Sequence, residues 1–209
     1  QQGNVSLREG NELQNAAQNV LVLIDDLLTE AGLRYNQLDA LTVVTGPGSF
    51  TGVRIGVAIA QGLSLSSSTP VVPISSLAIL ASAASQKFDG ELFLACMKAR
   101  ENEVYFGAYQ CTGDDVTLVG SEQVNAAGDI SSEELAGERL RTFIGIGNGW
   151  IYREQLEKSL SLELTHCVND NFTSMEDFCR LAAARFRKGY VVKEEQVLPN
   201  YVKEKMDYS

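Results

Sequence analysis

Apolar residues between positions 13 and 31 recur with the spacing of an amphipathic helix. The positions that form the stripe are Leu13, Ala17, Val20, Ile24, Leu27 and Leu28. Gly32 is placed to end this helix. Leu21, Val22 and Leu23 extend the apolar surface beyond one stripe, which predicts that the helix is covered on more than one side, by its own domain or by a partner.

A strand, a glycine-rich loop and a second helix follow. Residues 40–44 form a short apolar run, residues 46–52 hold three glycines, and a helical pattern begins near Val53. Gly52, Gly56 and Ala60 fall four residues apart and therefore share one helix face. Such a face lets another helix backbone approach closely, although packing inside one domain explains the same spacing.

The rest of the chain alternates predicted strands and helices. Residues 5–9 alternate as a half-buried strand does, and the turn signal before them predicts a further strand that precedes Gln1 and is missing here. Strands are predicted at 71–74, 92–97, 104–109, 116–119 and 142–146, and helices at 76–84, 152–160 and 175–187. A boundary near 85–89 gives an α/β chain with two lobes, residues 1–85 and 86–209.

Charge and side-chain inventory exclude several classes of protein. The 17 Lys and Arg against 27 Asp and Glu give a net charge of −10, so the chain is not expected to hold nucleic acid alone. It shows neither a bilayer-length apolar run nor a signal peptide, which predicts a cytoplasmic protein without membrane contact. The 4 cysteines form no C-x-x-C pair and His166 is the single histidine, so no metal site is expected.

The glycine loop is the main candidate for a ligand-binding site. A strand that leads through small residues to a helix N-terminus presents N–H groups to an anion, and the candidate anion-binding residues are Gly46, Gly48, Ser49, Thr51 and Arg54. A Walker loop requires Lys after its last glycine, whereas Val53 follows Gly52 here. A tight structural turn remains the alternative.

Several short motifs are spread along the chain. Residues 46–56 read GPGSFTGVRIG, and residues 60–63 read AQGL. Further similarities are SSL at 75–77, AR at 99–100, EVY at 103–105, GIGNGW at 145–150 and PNYV at 199–202. Together these motifs resemble the signature of the bacterial TsaB (YeaZ) family, and the resemblance covers nearly the whole chain. Lys98 departs from it, since the family commonly has Asp at that position.

The resemblance implies an actin-like (ASKHA) fold of two lobes, each a mixed sheet with flanking helices. It also implies a non-catalytic subunit for threonylcarbamoyladenosine (t6A) modification of tRNA. Such a subunit dimerises with a catalytic TsaD-type paralogue, acts together with a TsaE-type ATPase, and meets tRNA only through the complex. Neither a catalytic residue nor a cofactor is expected in it, and in isolation it is expected to form a homodimer.

The family interface is helical. Carried over by position, it involves Leu13, Ala17, Val20, Leu21, Ile24, Gly52, Val53, Gly56, Ala60 and Leu63. Two other functions are alternatives to this one. An independent actin-like phosphotransferase would bind a nucleotide on the glycine loop, whereas a peptidase would need metal ligands or a base that the motifs do not supply.

Overall fold

The computed structural model describes residues 5–10, 16–135, 142–164 and 166–202. Within them the helices are α1 (Ala16–Ala31), α2 (Phe50–Ser67), α3 (Ser76–Ser85), α4 (Arg153–Leu160) and α5 (Met175–Arg187). The strands are β1 (Leu41–Gly46), β2 (Val71–Ser75), β3 (Leu92–Lys98), β4 (Glu103–Thr112), β5 (Asp115–Ala126), β6 (Phe143–Ile146) and β7 (His166–Val168). The chain divides into two compact units: Gln1–Ile74 with Ala182–Asn200, and Ser75–Leu181 with Tyr201–Ser209.

The first unit is built on β1, β2 and α2. β1 and β2 are neighbours in a sheet, and Val71 exchanges hydrogen bonds of 3.0 and 2.8 Å with Val192, which returns from the later part of the chain. The buried side chains of α2 recur at helical spacing and pack with those of the strands. This core consists of Val43, Val57, Ala60, Val71 and Val197.

The second unit holds a mixed sheet in the order β5-β4-β3-β6-β7. β3, β4 and β5 pair antiparallel, while β6 pairs parallel with both β3 and β7. Leu94, Cys96 and Phe106 from the central strands are buried together with Trp150 and Leu156. The apolar runs of β3 and β4 are continuous because these two strands are paired on both edges and largely buried.

A bulge in β5 shapes the start of α3. The β4–β5 register places Phe106 opposite Gln123 but Ala108 opposite Val119, so three residues of β5 face Gly107 alone. The bulge directs Glu122 inward, where its carboxylate accepts hydrogen bonds from the hydroxyls of Ser75 and Tyr109. Ser75 also caps α3, so Ser75 and Glu122 link the N-terminus of this helix to the edge strand β5.

Most predicted elements are confirmed. The described part of the first predicted helix, the antiparallel β3–β4 pair and the helices near 153–160 and 175–187 all form, while residues 13–15 lie outside the described residues. The strand predicted at 5–9 is wrong: Val5 and Leu7 are exposed in irregular backbone, because alternation yields a strand only where another strand pairs with it.

The two compact units divide the chain differently from the predicted lobes. The sequence predicted lobes of 1–85 and 86–209, whereas the division lies between Ile74 and Ser75 and again within α5. α3 contacts β3 and β4, which accounts for its place in the second unit. Residues 182–200 belong to the first unit, where Val192 bridges β2 and Val197 enters the core.

Two buried helical serines allow a matched test of hydrogen bonding. Ser64 Oγ donates to the Thr69 carbonyl at 2.7 Å, whereas Ser82 Oγ has no hydrogen-bond partner among the described residues. We expect Ser64→Ala to lower the free energy of unfolding by about 1–3 kcal/mol, since a buried carbonyl loses its donor. Ser82→Ala should raise it by up to about 1 kcal/mol. Urea unfolding of the purified variants measures both, and equal destabilisation by the two would contradict this assignment.

Candidate functional site

The glycine loop joins β1 to α2 in the first unit. Gly46 ends β1 with a φ of +107°, a conformation that favours glycine, and the Gly46–Pro47 peptide is cis. Ser49 is the N-cap of α2: its Oγ accepts from Gly52 N–H at 3.4 Å, and its carbonyl accepts from Val53 N–H at 2.9 Å. Helix α2 therefore begins at Phe50, three residues before the predicted start.

The predicted anion-binding residues are only partly arranged for an anion. Gly48, Ser49 and Thr51 are exposed, but two N–H groups of the first turn are already bonded to Ser49. The Arg54 guanidinium lies 3.5 Å from the centre of the exposed Phe50 ring, a cation–π contact within the helix. This stacking holds the arginine on the helix surface one turn into α2.

A segment near the C-terminus, residues 197–200, forms hydrogen bonds with β1 and α2, the two elements that the loop joins. Asn200 N–H donates to the Thr45 carbonyl at 2.8 Å, and the Gln61 side-chain amide donates to the Val197 carbonyl at 2.8 Å. A Cβ on Gly46 would lie 3.6 Å from the Asn200 carbonyl oxygen. Sequence reasoning missed this partner of the loop, although the PNYV run at 199–202 had marked the segment.

Helix α1 has an exposed apolar surface in the first unit. Val20, Leu21 and Val22 retain 36%, 42% and 60% of their accessible surface. Between Ala17 and Ala31 no described side chain is fully buried, although the stretch contains seven Val, Leu and Ile residues. α1 contacts α2, yet this contact leaves much of its apolar surface uncovered.

The predicted interface residues separate into two groups on the structure. Ala17, Val20 and Leu21 of α1 and Gly52 of α2 are exposed, and Ile24, Gly56 and Leu63 are half-buried. Ala60 instead is buried in the core of the first unit, and Val53 packs against that core. The packing of these two residues stabilises their own unit. Leu13 lies outside the described residues.

The glycines of residues 145–149 serve close packing in the second unit. A Cβ on Gly147 would lie 2.2 Å from the Cys96 carbonyl oxygen, and one on Gly149 would lie 2.5 Å from Cys96 Sγ. Trp150 is buried, and its indole N–H donates to the Leu94 carbonyl at 2.9 Å. Trp150 therefore has a packing role in the second unit. Lys98 is exposed on the neighbouring strand end, and its backbone N–H donates to Asn148 Oδ1 at 2.8 Å.

The thiols are poorly suited to nucleophilic chemistry. Burial raises the pKa of Cys111 to about 11 and that of Cys167 to about 11. Burial also raises the pKa of Cys96 far above its ordinary range and that of Cys179 to a smaller degree. All four are free thiols, and at neutral pH they are protonated. Across the described ranges, no helix combines the length and apolar character needed to span a membrane.

Comparison with known proteins gives consistent matches along the chain. The family model described as TsaD, tRNA N6-adenosine threonylcarbamoyltransferase, matches residues 13–204. The chain is 33% identical over 190 residues to the tRNA threonylcarbamoyladenosine biosynthesis protein TsaB of Escherichia coli K12, covering 89% of this chain and 80% of that protein. The chain belongs to the TsaB (YeaZ) family.

Solved structures of TsaB (YeaZ) relatives agree with the fold. YeaZ from Pseudomonas aeruginosa superposes with a TM-score of 0.74 at 34% identity, covering 90% of this chain and 84% of that one. A second structure, described as an uncharacterized protein with similarity to peptidase YeaZ from Pseudomonas aeruginosa, gives 0.75 at 34% identity with 94% and 92% covered. The chain has the actin-like α/β fold with a mixed sheet.

Glycines within the TsaB-type motif are expected to differ in their effect on stability. Gly62 lies in exposed helix, and a Cβ there would meet no described atom within 4 Å. We expect Gly62→Ala to raise the free energy of unfolding by about 1 kcal/mol, because alanine loses less backbone entropy on folding. Gly46→Ala should lower it by at least about 1 kcal/mol, because of its φ of +107°. Urea unfolding measures both, and destabilisation by Gly62→Ala would reveal a contact absent from this structure.

Proposed function

We propose that the chain is a non-catalytic subunit of the machinery that makes threonylcarbamoyladenosine in tRNA, and that it binds a TsaD-type paralogue through α1 and α2. Membership of the TsaB family supports a role in this modification. The match to the TsaD family model supports descent from a common ancestor with the catalytic subunit, and paralogues of one fold readily form pseudo-symmetric dimers.

The exposed face of α1 is the observation that carries the proposal. Most of the stability of a short helix comes from burying an apolar face, because helix propensity alone is marginal at 16 residues. In α1 that face is only partly covered, and Leu21 and Val22 stay exposed. A second protein that covers this face would remove apolar surface from water, at about 25 cal/mol for each Å² buried.

Helix α2 complements this surface with small residues. Gly52 is exposed, Gly56 one turn later is half-buried, and the half-buried Leu63 lies on the same side of the helix. A glycine within a helix lowers its stability, so both positions carry a cost in the isolated chain. We infer that close approach of a partner helix offsets this cost.

The proposed lack of catalytic activity is supported by how potential reactive groups are used. The Ser49 hydroxyl caps α2, and the Arg54 guanidinium stacks on Phe50. The cysteine thiols have raised pKa values, so thiolate is scarce at neutral pH. His166 lies 4.8 Å, centroid to centroid, from the Phe88 ring, in an aromatic cluster of the second unit. Each group has a structural role in the chain itself.

A subunit of this kind acts by differential binding. It favours the conformation of the catalytic paralogue to which it binds more tightly, and by no more than the difference in affinity. A TsaE-type ATPase would join the same complex, and tRNA would be met there. In the absence of the paralogue, the apolar face of α1 would drive association of two copies of this chain.

Substitutions in α1 and α2 test the proposed interface. We expect Leu21→Asp to reduce binding of the TsaD-type paralogue at least tenfold, since a charged group would be buried against it. Gly56→Ala should stabilise the isolated chain, because its Cβ would lie 3.6 Å from Val43 Cγ2, an ordinary contact. Gly52→Leu should weaken the complex, because Gly52 is exposed and the added side chain would separate the helices. Calorimetric titration with the paralogue and urea unfolding measure the two effects.

Ile151→Asp is the matched control for these variants. Ile151 is an apolar residue of the second unit with 62% exposure, so the same charge is introduced outside the proposed interface. This control should bind the paralogue as the unmodified chain does. Unchanged affinity in both Leu21→Asp and Gly52→Leu would eliminate α1 and α2 as the interface.

The alternative function is nucleotide-dependent phosphotransfer at the glycine loop, which the exposed Gly48, Ser49 and Thr51 favour. The two functions differ in what the isolated chain binds. Because two first-turn N–H groups are bonded to Ser49, we expect no binding of Mg-ATP in calorimetry at about millimolar nucleotide. Saturable binding that Ser49→Ala or Thr51→Ala abolishes would favour the phosphotransferase.

A further inference from the structure

Helix α1 carries acidic side chains beside its exposed apolar residues. Its sequence holds three acidic residues, Asp25, Asp26 and Glu30, and no Lys or Arg. Asp25 and Asp26 are exposed and lie three and four residues after Val22, so both carboxylates are one helical turn from an exposed apolar side chain. The surface of α1 that is open to a partner is therefore both apolar and acidic.

The three carboxylates of α1 differ in how far their charge is compensated. Glu30 forms an ion pair with Arg8. Asp25 accepts a hydrogen bond of 2.8 Å from the Tyr35 hydroxyl. Burial and this hydrogen bond raise the pKa of Tyr35, so the phenol stays neutral and leaves the charge of the carboxylate in place. Neither Asp25 nor Asp26 forms an ion pair with a cation in the described part of the chain, which leaves two uncompensated negative charges on this surface.

The cations around α1 in the first unit do not balance these two charges. Helix α2, the other helix of the proposed interface, contains one charged residue, Arg54, whose guanidinium stacks on the Phe50 ring. Arg34 follows the end of α1, is exposed, and pairs with neither aspartate among the described residues. The other cations of this unit besides Arg8 lie on or beyond α5, whereas α1 packs mainly on α2.

A second copy of this chain is a poor electrostatic match for the exposed face of α1. Association of two copies through α1 and α2 brings together three carboxylates and one guanidinium group from the helices of each copy. When both Arg8–Glu30 pairs are included, Asp25 and Asp26 of each copy still lack a cation. Each chain also has a net charge of −10, so the charges oppose the self-association that the apolar residues favour.

We propose that Asp25 and Asp26 make the face of α1 specific for a partner that presents Lys or Arg beside an apolar contact, and disfavour a second copy of this chain. The inference rests on the proposed function, in which that partner is the TsaD-type paralogue. A carboxylate that loses water at the edge of an interface needs a cation or a hydrogen-bond donor in compensation. Attraction to the paralogue and repulsion between copies therefore both favour the heterodimer over the homodimer.

Salt distinguishes the two kinds of association, because screening weakens attraction and repulsion alike. We expect the affinity for the paralogue to fall as NaCl rises from about 50 to about 500 mM, and self-association to become stronger over the same range. Calorimetric titration measures the affinity for the paralogue, at concentrations at which the chain is monomeric. Sedimentation equilibrium of the chain alone measures self-association.

Substitutions of Asp26 test the charge directly. Asp26→Asn should weaken binding of the paralogue about two- to fivefold, and Asp26→Lys at least about tenfold at low salt, because a like charge then faces the partner's cations. Both variants should strengthen self-association and reduce its dependence on salt. Asp129→Asn and Asp129→Lys are the matched controls, since Asp129 is an exposed aspartate of the second unit, and they should leave both associations unchanged. Asp26 lies in the C-terminal half of α1, where the helix dipole tolerates a cation, so Asp26→Lys should keep the thermal stability of the unmodified chain.

Opposite changes in the two associations are the result that supports the proposal, because general damage to α1 would weaken both. Salt-independent binding of the paralogue, with Asp26→Lys binding as tightly as Asp129→Lys, would overturn it. If Leu21→Asp still prevented the complex in that case, the proposed function and its interface would stand without the charge preference. Lack of paralogue binding by the unmodified chain would overturn the proposed function and this preference together.

Discussion

The first unit has more apolar surface than its own core covers, and this constraint governs its arrangement. Seven Val, Leu and Ile residues lie between Ala17 and Ala31, and none is fully buried in the described structure. β1, β2 and the core-facing stripe of α2 are by contrast covered by Val192 and Val197 from the C-terminal part of the chain. The chain therefore completes its core on one side of α2 and leaves a second apolar surface beside it.

Glycine has three different roles in the chain, and the three-dimensional structure is needed to distinguish them. Gly46 has a φ that other residues rarely adopt, and Gly147 lies so close to the Cys96 carbonyl that no Cβ fits. Gly62 has open space around its Cα and an ordinary helical backbone. In the sequence all three belong to strand-loop-helix patterns of similar appearance. Glycine content alone therefore indicates neither a ligand site nor an interface.

Local periodicity predicted most of the elements because each depends on its own residues. The apolar spacing of α1 and the turn residues around β3 and β4 are local signals, and those elements form. The direction in which a helix face points depends on distant residues. Ala60 and Val53 share the small, apolar character of the predicted interface, yet they pack near Val197, whose place beside α2 no local pattern indicates.

The same limit applied to the candidate anion site. Spacing identified the glycine loop, but the segment at 197–200 that hydrogen-bonds to Thr45 and Gln61 lies over 130 residues away. The PNYV motif at 199–202 is part of the family resemblance, but the motif does not indicate that Asn200 contacts Thr45. The strand predicted at 5–9 is wrong for a related reason. Its alternating pattern is a local signal, and no strand in the described residues pairs with this segment.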